Sequence, residues 1–186
     1  TFFTAQVDFE EAGDLKVFID DEQLALVSSL TEGKGYLDGR YMAATFNLLR
    51  GQDLIWSYVV NNYLLGKEYT PFDLLYWNSD VTNLPAKWHL NYLADLYRDN
   101  KLAKGEVRIA GTPVDLKQVK TPSYVQAGRE DHIAPMQSVW KITDHFAGPI
   151  RFLLAGSGHI AGVVNPPSSG KYQYWTNEKR VKSLVD

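Results

Sequence analysis

The sequence of 186 residues contains no cysteine. Its own residues therefore cannot form a disulfide, a thiolate metal site or a cysteine nucleophile. The chain also lacks a large excess of positive or negative charge, since it has 22 acidic residues and 19 Lys and Arg. This balance excludes the basic surface that nucleic acids require, so we expect no nucleic-acid partner. Long apolar runs are missing as well, and no stretch approaches the roughly 18 residues that would span a bilayer.

The N-terminus lacks both a methionine and the features of a signal peptide. The chain opens directly in an apolar, β-prone segment, TFFTAQVDF, at residues 1–9. Such a segment is typical of a strand inside a domain. We therefore expect the sequence to be a piece of a longer protein. With 45% apolar residues, it has enough of them for a globular core.

The middle of the chain is predicted to be mostly helical, because apolar residues recur there at helical spacing between glycine stops. The first predicted helix begins at Asp20 or Asp21 and ends before Gly33. Three further helices are predicted at 37–50, 54–65 and 85 to about 100. Residues 71–85, PFDLLYWNSDVTNLP, are predicted to be irregular.

The last third of the chain predicts an α/β sheet. Short extended runs at 106–110, 123–127 and 150–155 are bordered by glycine or proline, and a helical pattern lies at 135–147. A strand, loop, helix and strand in this order are typical of parallel strands joined by crossovers.

Aromatic residues are concentrated between residues 36 and 97, which hold most of the 11 tyrosines. Tyrosine and tryptophan combine an apolar body with a polar tip, which suits a lid or an interface. Plain packing between helices explains the same enrichment, and the sequence does not decide between the two interpretations.

Two loops carry the candidate catalytic residues. GREDH at 128–132 follows one predicted strand, and GSGHIAG at 156–162 follows the next. An acid followed by a histidine matches the second and third members of the nucleophile, acid and histidine series of α/β-hydrolases. Asp131 would orient the imidazole of His159 and stabilise its charged form. Taken singly, Asp131 is also typical of a turn residue and His159 of a half-buried polar group.

The first member of that series is missing. Neither Ser123 nor Ser157 lies in G-x-S-x-G, and there is no cysteine to replace them. His89 and His145 fall within helical patterns and are interpreted as surface or packing residues. Motifs of zinc proteases, P-loops and dinucleotide-binding folds are absent from the sequence, and no metal site is predicted.

Four segments carry a family resemblance: GREDHIAP, SGHIAGVVNPP, PFDLLYWNSDVTNLP and the late YWTN. They resemble the signature segments of poly(3-hydroxyalkanoate) synthases, which polymerise hydroxyacyl-CoA thioesters into storage polyester. The resemblance extends over nearly the whole chain and is greatest to the class I enzymes.

The resemblance implies the C-terminal portion of an α/β-hydrolase fold with an inserted, mostly helical cap. Residues 1–9 would be a core strand, 10–105 the cap and 106–186 the rest of the core. Asp131 and His159 match the family's catalytic acid and histidine, and His132 is a secondary candidate that would support them.

The family's nucleophile is a cysteine in G-x-C-x-G. This sequence has none, so we expect the cysteine to lie outside the chain and the piece alone to be inactive.

As the resemblance implies, the activity would be an acyltransferase that needs no cofactor. Its substrates would be a hydroxyacyl-CoA and the growing polyester chain. The cap would exclude water from the acyl-enzyme and contribute to a homodimer, and the enzyme would be cytoplasmic on polyester granules. Two alternatives stay open: a thioesterase or polyester depolymerase with the same acid and histidine, and a non-catalytic scaffold.

Overall fold

A computed structural model describes residues 1–69, 76, 77, 79–177 and 181–184. The chain divides into two compact units. One consists of Thr1–Leu24 together with Asn91–Asp186, and the other is Ala25–Leu90. The division predicted from sequence, with a cap over 10–105, stays a prediction. No helix of the described residues is long and apolar enough to cross a membrane.

The described strands and helices are short. The strands are β1 (Phe2–Phe3), β2 (Tyr36–Leu37), β3 (Leu84–Pro85), β4 (Arg108–Ile109), β5 (Thr112–Pro113), β6 (Ser123–Gly128), β7 (Ile150–Ala155) and β8 (Tyr174–Trp175). The α-helices are α1 (Asp21–Thr31), α2 (Gly39–Leu49), α3 (Ala86–Asn91), α4 (Met136–Trp140) and α5 (Ile142–His145). Wider π-helical turns cover Gln52–Trp56, Val59–Leu64 and Tyr92–Arg98, and 3₁₀ turns cover Gly13–Phe18, Leu116–Gln118 and Pro167–Ser169.

The main sheet has the strand order β1-β6-β7-β8. β1 pairs with β6 and β6 with β7 in parallel, while β8 is antiparallel to β7. The α4 and α5 helices lie between β6 and β7 in the chain, as a parallel crossover requires. The predicted α/β class is confirmed.

The first strand is much shorter than predicted. Only Phe2 and Phe3 of the predicted residues 1–9 form a strand. Thr4 donates its N–H to the carbonyl of Gln126, but its φ of 47° lies in the left-handed region and turns the chain away from the sheet.

The helical predictions differ from the structure in helix type and, at one place, in continuity. The predicted helix at 54–65 is two π-helical turns, and the one at 85–100 continues from α3 into a π-helical turn. The helix predicted at 135–147 is divided into α4 and α5, because Lys141 separates them. In the predicted irregular segment 71–85, residues 80–83 have no regular structure, residues 76, 77 and 79 are helical, and Leu84–Pro85 form β3. Residues 71–75 and 78 lie outside the described residues.

The unit that contains the main sheet has two apolar clusters. In the first, α4 and α5 cover one face of the sheet: Val139 and Ile142 pack with Val125 and Ala127, and all four are fully buried. In the second, Phe9 packs against Tyr97 with ring centroids 4.7 Å apart. Burial raises the pKa of Tyr97.

The unit Ala25–Leu90 contains the β2–β3 pair and the start of α2. Asp38 caps this helix by accepting a hydrogen bond from the Arg40 N–H. The N–H of Gly39 is bound by the Asn83 side chain at 3.0 Å. A Cβ on Gly39 would lie 2.8 Å from the Thr82 carbonyl, so this close approach requires glycine.

A polar network surrounds the buried side chain of Asp8. Its Oδ1 accepts hydrogen bonds at 3.0 Å from the Asn100 amide and from the Glu10 N–H. Lys141 Nζ lies 3.5 Å from Oδ1, and His145 Nε2 lies 3.6 Å from Oδ2. Burial alone would raise the pKa of Asp8, but these hydrogen bonds and the charge of Lys141 outweigh it and lower the pKa below its usual value.

Replacing Asp8 with Asn tests this network. Because the pKa of the carboxyl is lower in the folded chain than in the unfolded one, its charge stabilises the fold above about pH 4, and this contribution is lost as the pH falls further. We expect Asp8→Asn to lower the free energy of unfolding by about 1–3 kcal/mol at neutral pH. In urea titrations the difference from the parent should shrink towards about pH 3. The exposed Asp14→Asn is the control, and an equal loss at both pH values would contradict the assignment.

Candidate active site

The site is built where the carboxyl ends of β6 and β7 meet. Gly128 and Ala155 are register partners at the last position of the two strands. Backbone hydrogen bonds continue past the strands, from Arg129 N–H to the Ala155 carbonyl at 2.8 Å and from Glu130 N–H to the Ser157 carbonyl at 3.1 Å. The two loops that follow are therefore held side by side.

Gly128 permits this close approach. A Cβ at this position would lie 2.7 Å from the Ser157 carbonyl oxygen, closer than side chains normally come. Any larger residue would push the two loops apart. The guanidinium of Arg129, 5.4 Å above the ring of Trp175, adds a cation–π contact between the first loop and β8.

Asp131 uses its two carboxylate oxygens for different purposes. Oδ1 accepts hydrogen bonds from the N–H groups of Ile133 and Ala134, both at 2.9 Å. Oδ2 lies 2.8 Å from Nδ1 of His159. The side chain is fully buried. Asp131 is thus both a turn residue and the partner of a histidine, so the two interpretations left open by the sequence hold together.

His159 presents its second ring nitrogen for chemistry. Its side chain is 33% exposed, in contrast to that of its acidic partner. A carboxylate next to Nδ1 favours the tautomer that carries the proton on Nδ1, which leaves a lone pair on Nε2. An imidazole held in this way can accept a proton from a nucleophile and return it to a leaving group.

The other three histidines of the chain have different surroundings. His132 follows Asp131, and its backbone carbonyl accepts a hydrogen bond from Asp14 N–H at 3.3 Å; its supporting role stays a prediction. His89 is buried in α3, where desolvation lowers its pKa. His145 belongs to the Asp8 network. Neither is brought to the Asp131–His159 pair.

Two buried polar residues were not predicted to support the site, since the sequence analysis considered Ser157 only as a nucleophile and did not single out Gln126. Gln126, in the middle of β6, and Ser157 are 2% and 3% exposed. Within the described part of the chain, no hydrogen-bond partner is found for the amide atoms of Gln126 or for the Ser157 hydroxyl. An unpaired buried group of this kind costs about 1–3 kcal/mol. The only available signal was a glutamine between the apolar residues of a strand, which does not reveal what covers it.

No group of three His, Cys, Asp or Glu in the described ranges is arranged to hold a metal ion. The site is thus described by one acid, one imidazole and the polar residues beneath them.

Comparison with known proteins gives consistent matches. A family described as having the alpha/beta hydrolase fold matches residues 25–166. The chain is 56% identical to the poly(3-hydroxyalkanoate) polymerase subunit PhaC of Rhizobium meliloti (strain 1021), over 95% of this chain and 29% of the relative. It is 52% identical to the poly(3-hydroxyalkanoate) polymerase of Methylorubrum extorquens, over 95% of this chain and 29% of the relative.

A third relative, the poly(3-hydroxyalkanoate) polymerase subunit PhaC of Cupriavidus necator, is 44% identical over 96% of this chain and 31% of its own length. The chain thus spans roughly a third or less of the relatives it matches. The resemblance predicted from the signature segments is confirmed. Because the matched region covers most of the sequence, the chain belongs to the α/β-hydrolase family.

Proposed function

We propose that this chain supplies the acid and the histidine of a polyester synthase, an acyltransferase that polymerises (R)-3-hydroxyacyl-CoA into poly(3-hydroxyalkanoate) and releases CoA. The observation that carries the proposal is the 2.8 Å contact between Asp131 and His159. It is supported by 44–56% identity to proteins named as poly(3-hydroxyalkanoate) polymerases.

In the proposed reaction, His159 Nε2 takes the proton from a cysteine thiol, and the thiolate attacks the thioester carbonyl. The bond to the CoA sulfur breaks, His159 returns the proton to that sulfur, and an acyl-enzyme remains. His159 next removes the proton from the 3-hydroxyl of a second acyl unit, whose oxygen attacks the carbonyl of the acyl-enzyme. The new ester bond forms as the bond to the cysteine sulfur breaks, and His159 returns the proton to that sulfur. Asp131 holds the imidazole throughout and stabilises its charged form. Because the thioester already activates the acyl group, we propose that no metal or redox cofactor takes part.

The nucleophile is proposed to lie outside these 186 residues, in a G-x-C-x-G segment. The short share of the relatives that this chain spans, 29–31%, leaves room for such a segment. The chain by itself is then inactive. We further propose that the enzyme works in the cytoplasm on polyester granules, and that a cap made from the inserted residues keeps water from the acyl-enzyme.

Substitutions in the acid–histidine pair test the mechanism in the full-length protein. We expect His159→Ala and Asp131→Asn each to lower kcat for CoA release by about 10²–10⁴-fold, because one removes the base and the other its orienting carboxylate. Asp144→Asn, an exposed position in α5, is the matched control. If either variant kept the rate of the parent, the assigned roles would be wrong.

The product separates a synthase from the rival hydrolases. We expect the full-length protein, incubated with 3-hydroxybutyryl-CoA, to release CoA and form insoluble polymer, because a second hydroxyl and not water accepts the acyl group. Chromatography of the soluble fraction measures free 3-hydroxybutyrate. Stoichiometric free acid without polymer would favour a thioesterase or depolymerase, and no CoA release would favour a scaffold.

A homodimer is also proposed, through the unit Ala25–Leu90. In support, this unit exposes large apolar side chains along neighbouring turns: Leu48, Trp56, Tyr63, Leu64 and Leu65. A large exposed apolar patch is typical of an interface, and these side chains would supply one.

Adding a charge to this surface tests the dimer. Leu64→Glu should raise the dimer dissociation constant by about tenfold or more, because a charge would be buried against apolar side chains. Light scattering of the full-length protein across a dilution series measures the mass. Ser29→Glu, which adds the same charge at an exposed polar position of α1, should leave the dimer intact. A parent that is monomeric throughout the series would refute the proposal.

A further inference from the structure

Three polar atoms are buried together behind the acid–histidine pair. They are the two amide atoms of Gln126 and the hydroxyl of Ser157, and none has a hydrogen-bond partner among the described residues. Buried polar groups are nearly always paired, so an unpaired set demands an explanation. Ser157 lies two residues before His159 in the same loop.

Two of these atoms, Nε2 of Gln126 and Oγ of Ser157, converge on Gly162. A Cβ on this glycine would lie 2.6 Å from Nε2 of Gln126 and 3.2 Å from Oγ of Ser157. Both side chains therefore reach the same point of the turn without a direct hydrogen bond between them, and one water would bridge them there. The absence of a side chain at Gly162 is what lets the backbone approach them.

Gly162 also belongs to the turn that carries His159. Its N–H donates to the Gly158 carbonyl at 3.4 Å, and the N–H groups of Val163 and Val164 donate to the Ile160 carbonyl at 3.0 and 2.9 Å. The turn is thus one hydrogen-bonded unit. A displacement of the Gly162 backbone therefore also displaces Gly158, the residue next to His159, through their hydrogen bond.

An apolar side chain of the same length would avoid the cost of burying an unpaired amide at position 126. The neighbours on either side, Val125 and Ala127, are apolar and fully buried on the opposite face of the sheet, so the amide does not take part in that core. A contribution to folding therefore does not explain the amide. Its position beneath the His159 turn does.

We propose that Gln126 is a positioning residue for His159. One bridging water links its amide to the Ser157 hydroxyl. This link holds the 158–164 turn at a fixed distance from the sheet, which keeps Nδ1 of His159 in contact with Asp131. The proposal rests on the proposed function, in which His159 is the base. Small errors in the placement of a catalytic group are costly, since a displacement of about 1 Å lowers a rate by up to 10²-fold.

Removal of either polar group in the full-length enzyme tests this role. We expect Gln126→Met and Ser157→Ala each to lower kcat for CoA release by about tenfold or more with KM unchanged. The low-field proton resonance of the Asp131–His159 hydrogen bond should shift or disappear, while the melting temperature stays the same or rises. Tyr124→Phe, two residues earlier in β6, is the matched control.

A purely structural role gives a different pattern. In that case kcat would fall only in proportion to the folded fraction, and the low-field resonance of the folded protein would not move. Unchanged kcat and resonance in both variants would equally overturn the proposal.

A double-mutant cycle provides a second test that does not depend on Gln126→Met folding. Gly162→Ala forces the Gln126 amide to move, because the new Cβ would lie 2.6 Å from it. We expect a loss of kcat in the parent and little further loss in a Gln126→Ala background. Equal losses in both backgrounds would show that the amide is not the relevant contact.

His159→Ala in the same assay separates the two proposals. If it abolishes CoA release while the Gln126 and Ser157 variants match the parent, only the positioning role is wrong. If it leaves the rate intact, the proposed function is wrong and the positioning role falls with it.

Discussion

The parallel pairing of β6 with β7 is the constraint on which the site depends. Because Gly128 and Ala155 are register partners, the loop with the acid and the loop with the histidine leave the sheet at the same level. Backbone hydrogen bonds beyond the strands keep these loops together, and the missing side chain of Gly128 lets them approach. A one-residue change of register would place the acid and the imidazole on opposite faces.

The buried carboxylate of Asp131 is fixed before any reaction begins. Two backbone N–H groups hold one oxygen, so the other is aimed at His159 without rearrangement. Preorganised groups of this kind stabilise developing charge without a cost of reorganisation during the reaction. The turn and the acid–histidine contact are therefore one arrangement, since the hydrogen bonds that close the turn also orient the acid.

The sequence predicted the elements that depend on local signals. Residues 150–155 were predicted as a strand with the observed limits, and 123–127 with one residue missing, because both runs are apolar and bounded by glycine or proline. Contacts between residues that are distant in the chain were not predicted from the sequence. Asp8 and Asn100 are 92 residues apart in the chain, and no spacing rule connects them. Likewise, the alternation of a strand places Gln126 on the face opposite Val125, but it does not show that the His159 turn covers that face.

The partners of the pair all come from a short part of the chain. Asp131, His159 and the residues that bind them lie between 128 and 159, within the unit that contains the main sheet. The described hydrogen bonds that fix Asp131 and hold Nδ1 of His159 are therefore local to these two loops. The short chain segment that makes these contacts is enough to aim one oxygen of the acid at the ring. Because function depends on such sites and not on the fold that carries them, an activity has to be inferred from this contact.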